Sequence, residues 1–89
     1  MTAGIEPKVL RTEDIIGLVA EIPEGHQHLR TTLTLVDGTA ITLQEATVAA
    51  IVRAYTAIKT DPVRARVTMR GQRVPERKAG YAEWQLLEE

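Results

Sequence analysis

The stretch on which the fold turns is Thr12-Glu13-Asp14-Ile15-Ile16-Gly17-Leu18-Val19-Ala20-Glu21-Ile22-Pro23. Ile15, Leu18, Val19 and Ile22 stand at the i, i+3, i+4, i+7 spacing of one helical face. Thr12 is placed to cap such a helix, Glu13 and Asp14 sit against the positive end of its dipole, and Pro23 stops it. A second period runs through the same residues: Ile16, Leu18, Ala20 and Ile22 alternate, as in a strand that turns at Pro23-Glu24-Gly25. A short helix over 12–22 is the expectation and a strand from Ile15 to Ile22 the competing reading, because periodicity alone does not separate the two in a short apolar run.

From Leu29 onward the period is two. Leu29, Thr31, Leu33 and Leu35 lie on one side and His28, Arg30, Thr32 and Thr34 on the other, the pattern of a half-buried strand. Asp37-Gly38 is the dipeptide of tight hairpin turns, whose positive φ angles both residues tolerate, and Thr39 to Leu43 supplies the returning strand. That strand leads into Thr42-Leu43-Gln44-Glu45, which reads as a capping box with Thr42 at the N-cap and Glu45 at N3. The principal helix follows over 44–59. Val48, Ile51, Val52, Tyr55 and Ile58 form one stripe, alanines supply helix propensity elsewhere, and Thr60-Asp61-Pro62 ends the helix. Fully burying each large side chain of such a stripe contributes about 1.5–3 kcal/mol. A helix of this length is marginal alone, so the stripe calls for a sheet to lie on.

Val63 to Val74 alternates again, with Ala65, Val67 and Met69 on one side and Arg64, Arg66, Thr68 and Arg70 on the other. Pro75 to Gly80 reads as a turn, and Tyr81 to Leu87 returns with Ala82, Trp84 and Leu86 facing one way. The expected fold is α+β, a single small domain over 12–89 preceded by a flexible segment over 1–11. Its element order is α-β-β-α-β-β: one four-stranded antiparallel sheet of two hairpins, with one long and one short helix packed on one face. A chain of 89 residues and 9.8 kDa leaves room for one core.

Hydrophobic residues at 44% and charged residues at 26% are ordinary for a soluble globular chain. Cys, Ser, Asn and Phe are absent, which excludes Ser and Cys nucleophiles, thiolate metal sites and disulfides. There is no glycine-rich phosphate loop, no nucleophile elbow and no His-Glu-X-X-His helix, so neither catalysis nor a cofactor is expected. Glu24, His26 and His28 form the one group with metal-like chemistry, since His-X-His on an extended segment aims both imidazoles the same way. Zinc needs further ligands that no other His or Cys supplies, and the two histidines are expected to be exposed loop residues without metal. No uncharged run exceeds seven residues, far short of a membrane span. Met1 to Leu10 carries Glu6 and Lys8 and lacks a signal peptide's apolar centre, so a cytoplasmic location is expected.

The net charge of −1 hides an uneven distribution. Residues 1–52 carry −4 and residues 53–78 carry +6, while Glu83, Glu88 and Glu89 make the tail −3. Arg64, Arg66 and Arg70 stand at strand spacing, and Arg73, Arg77 and Lys78 cluster around the turn that follows. Such a stripe suits a phosphate backbone, with His28, Arg30, Thr32 and Thr34 as further donors. Against this, a register with Met69 opposite Trp84 sets Arg70 opposite Glu83 and Arg64 opposite Glu89, so that the hairpin neutralises its own arginines. Aromatic side chains for stacking bases are few: Tyr55, Tyr81 and Trp84. Trp84 is expected in the core, packed on the preceding strand; the alternative makes Trp84, Leu86 and Leu87 a dimer surface. The function this favours is a noncatalytic protein-interaction or assembly module, a homo-oligomer closed by pairing of exposed sheet edges, with another protein as the other kind of partner. The alternative is a nucleic-acid-binding domain using the basic strand and turn of residues 64–78.

Overall fold

In the computed structural model, residues 8–75 and 83–89 are described. The chain runs from a single 3-10 turn, Thr12–Asp14, through β1 (Ile15–Glu21), β2 (Arg30–Leu35), β3 (Ala40–Gln44), α1 (Glu45–Thr60) and β4 (Met69–Arg73) to β5 (Trp84–Glu88). The strands form two antiparallel sheets, one with the order β1-β2-β3 and one pairing β4 with β5. This corrects the expected single four-stranded sheet with two helices: among the described residues there are one α-helix and two small sheets. The chain divides into two compact units, one ending at Thr42 and one beginning at Leu43.

The difference begins at residues 12–22, where only the first turn is helical and the rest is strand. Ile15, Ile16, Val19 and Ile22 are β-branched and Gly17 lies mid-segment, so helix propensity is low and a pleated surface suits the side chains better. β2 supplies the partner, with Leu18 opposite Leu33, Ala20 opposite Thr31 and Glu21 opposite Arg30. A bulge between Ile15 and Gly17 absorbs one residue before Ile15 meets Leu35. Thr12 does not cap the turn. Instead the Asp14 carboxylate accepts from the Arg11 backbone N–H at 3.0 Å and from its guanidinium at 3.3 Å, while the Asp14 N–H donates to the Arg11 carbonyl at 2.9 Å. These bonds from Arg11 hold the Asp14 carboxyl below the usual aspartate range.

The alternation along β2 is observed as read. Thr31 and Leu35, 8% and 6% exposed, are buried on the side that also carries Leu33, Leu18 and Ala20. On the other side the Thr32 and Thr42 hydroxyls bond to each other at 3.0 Å. The hairpin loop has four residues, Val36 to Thr39. The Leu35 N–H donates to the Thr39 carbonyl and the Gly38 N–H to the Leu35 carbonyl, and Gly38 takes φ +90°. Asp37 holds the loop with its carboxylate, which accepts from the Thr39 N–H at 2.8 Å. Bonds from Thr39 also keep the Asp37 carboxyl below the usual aspartate range.

In the second unit α1 starts at Glu45 with Gln44 as N-cap, and Gln44 makes no side-chain cap bond. The expected capping box is therefore not formed: Thr42 is still in strand geometry and its hydroxyl is taken by Thr32. The helix ends before Asp61-Pro62 as the proline requires. Its buried side is not the expected stripe. Ala50 is 2% exposed, whereas Ile51 and Val52 are each 54% exposed and Tyr55 is 65% exposed. Small side chains let the helix come close to β5, and Arg53 reaches across to the Leu86 carbonyl at 3.4 Å.

Two consequences are open to test by urea denaturation. Gly38→Ala lowers stability by about 1–2 kcal/mol, because its φ places a Cβ in the disfavoured left-handed region, while Gly71→Ala, with nothing within 4 Å, does not. Asp37→Ala destabilises the first unit at neutral pH. Because folding depresses the Asp37 pKa, that stabilisation is complete above the ordinary aspartate value and disappears as pH falls through the depressed one. The gap between wild type and variant therefore closes in strong acid.

Candidate functional site

The residues with the strongest claim to an interaction surface lie on β4, β5 and the extended chain before them. β4 and β5 pair with Met69 opposite Glu88, Arg70 opposite Leu87, Gly71 opposite Leu86 and Arg73 opposite Trp84. The expected register, Met69 opposite Trp84, is thus displaced by four residues along the ladder. An even displacement keeps every side chain on its own face, so alternation does not oppose it. The observed register brings three arginines to three glutamates.

Arg73 meets Glu83 at 3.4 Å, Arg70 meets Glu89 at 3.1 Å, and Arg64 pairs with Glu88. The neutralisation of the stripe by the acidic strand is present, although with partners other than Glu83 for Arg70 and Glu89 for Arg64. Arg66 is exposed and forms no ion pair among the described residues; its carbonyl accepts from the Arg64 guanidinium at 3.4 Å. Arg77 and Lys78 lie outside the described residues, as does Tyr81. What a phosphate backbone would meet here is four described arginines facing three glutamates.

Trp84 is not in a core: it is 66% exposed. It shares a face with Leu86, Arg73, Gly71 and Met69, whereas Leu87 stands on the opposite face with Arg70 and Gln85. The three residues Trp84, Leu86 and Leu87 are therefore brought to one strand but not to one surface. His26 and His28 are exposed, and among the described residues no group of three or more His, Asp or Glu is placed to hold a metal ion. The His26 N–H closes a turn on the Pro23 carbonyl at 2.9 Å, with Gly25 at φ +82°.

Two apolar surfaces were not anticipated. On β1, Ile16, Leu18 and Val19 are exposed, and among the described strands β1 is an edge of its sheet. On α1, Ile51, Val52 and Tyr55 are exposed while Ala50 is buried. The signal for the second was in the composition of α1, where alanines occupy a complete alternative face and pack closely without large side chains. No helix among the described residues is long and apolar enough to cross a membrane. No family model matches the chain, and no curated protein or solved structure matches it.

The Arg70–Glu89 pair is solvent-exposed, so Arg70→Ala costs only about 0.2–1 kcal/mol. Urea midpoints at low and high salt check this: the difference from wild type shrinks as salt screens the pair.

Proposed function

We propose that the chain is a noncatalytic interaction module that works by self-association. The observation that carries this is the exposure of large apolar side chains at Ile16, Leu18, Val19, Ile51, Val52, Tyr55 and Trp84. Apolar surface left open on a small chain is favoured to be covered by protein, since removing it from water is the main driving force of association. Among the described strands β1 is an edge, and it adds main-chain donors and acceptors of the kind that a further strand satisfies. A chain without cysteine has no need of an oxidising compartment, and the proposal places it in the cytoplasm.

Nucleic acid is the alternative partner, and Arg66 is the observation in its favour. The pairing of Arg64, Arg70 and Arg73 with glutamates weighs against it, because each phosphate contact there would have to replace an ion pair already made.

Light scattering combined with fluorescence anisotropy of labelled single- and double-stranded oligonucleotides separates the two. The expected result is a mass above 9.8 kDa that rises with concentration, and no oligonucleotide binding even at low salt. A constant monomer mass, with binding that weakens steeply as salt is added, would overturn the proposal in favour of nucleic acid.

A further inference from the structure

Three aspartates occur in the chain, each followed by a different kind of residue: Asp14 by Ile15, Asp37 by Gly38 and Asp61 by Pro62. An aspartate reacts with its own chain when the next backbone nitrogen attacks the side-chain carboxyl carbon. The new N–C bond closes a five-membered succinimide and the carboxyl hydroxyl leaves as water. Water then reopens the ring at either carbonyl, giving aspartate or isoaspartate. Proline has no amide hydrogen to lose, and a β-branched isoleucine crowds the nitrogen. Glycine sets no side chain beside it. No asparagine, which forms the same ring by losing ammonia, occurs in the sequence. The chemistry therefore concentrates at Asp37-Gly38.

Both residues are exposed, so water reaches them. The closed hairpin nevertheless holds each reacting group in a bond of its own. The attacking nitrogen, that of Gly38, donates its hydrogen to the Leu35 carbonyl at 2.9 Å. The carboxylate it would attack accepts from the Thr39 N–H at 2.8 Å. Ring closure requires the nitrogen to give up that hydrogen and the carboxylate to leave Thr39. The bonds from Thr39 also hold the Asp37 carboxyl below its ordinary range, so the protonated form that loses water is scarcer in the closed hairpin than in the open chain. All of these contacts lie between residues 35 and 39, within the first unit alone.

We infer that Asp37-Gly38 is a site of spontaneous isoaspartate formation gated by the hairpin, which restrains the nitrogen and the carboxylate when closed and releases both when open. The product does not fit the loop it came from. Isoaspartate carries the main chain through its side-chain methylene, which adds one backbone atom between Val36 and Gly38 and leaves the carboxylate on Cα. The turn that brings the Leu35 N–H to the Thr39 carbonyl at 2.8 Å is then one atom too long. Hairpins that have opened and reacted close less firmly, and the change accumulates with the age of the chain.

Ageing the full chain in neutral buffer, with and without denaturing guanidinium chloride, tests the site and the gate. Isoaspartate is counted by enzymatic methylation of its carboxylate and located by electron-transfer fragmentation. It is expected at residue 37, forming about tenfold faster in denaturant than in buffer, a ratio set by how seldom the hairpin opens. Asp37→Asn keeps an oxygen for the Thr39 N–H and closes the ring faster by losing ammonia. Its reaction, read as the mass gained when an amide becomes an acid, is expected to show a ratio of the same size. Isoaspartate that forms at Asp14 or Asp61 in preference to Asp37 in denaturant overturns the site. Equal rates in buffer and denaturant, for wild type or for Asp37→Asn, overturn the gating.

Discussion

The antiparallel ladder between β1 and β2 is the constraint on which the first unit depends. Residues 15–21 carry both a helical and a strand period, and neither is strong enough alone to decide the conformation. Pairing with β2 decides it, because the ladder satisfies the backbone of both strands and joins Leu18 and Ala20 to Leu33 and Thr31 on one side. Once residues 15–21 are strand, α1 is the one α-helix among the described residues. The same segment becomes the outer of the three described strands, and Ile16, Leu18 and Val19 on it stay exposed.

The second unit is governed by a choice of helix face. α1 has two sides that suit contact, one of alanines and one of larger residues, and a helix lies closest to a two-stranded sheet on its small side. The alanine side leaves the bulkier stripe in solvent, which on area alone is the poorer way to bury apolar surface. The exposure of Ile51, Val52 and Tyr55 beside a buried Ala50 is the observation on α1 from which the proposed function is argued.

Electrostatics complete the argument on β4 and β5. Three arginines of the basic stripe are opposed by Glu88 on β5 and by Glu83 and Glu89 at its ends, so a segment that reads as strongly basic in one dimension is nearly balanced when folded. The contribution of these exposed pairs to stability is small. Their larger effect is on register and on partners, since they favour one alignment of the hairpin and leave Arg66 as the described arginine of the stripe without a carboxylate.

Much of the local structure was legible without coordinates. The alternation of β2, the turn at Asp37-Gly38, the helix that stops at Asp61-Pro62 and the mutual neutralisation of arginines and glutamates all arise from side-chain spacing or from the φ preferences of single residues. Those preferences act over a few residues and do not wait for the rest of the fold. The conformation of residues 15–21, the register of β4 on β5, the covered side of α1 and the exposure of Trp84 were settled only by tertiary structure. Each has two or more solutions that satisfy the local pattern equally: a dual period, an even shift along a ladder, a helix with two contact faces. The choice among them is made by partners distant in the chain, whose backbone pairing, packing and charge contacts lie outside any short window of sequence.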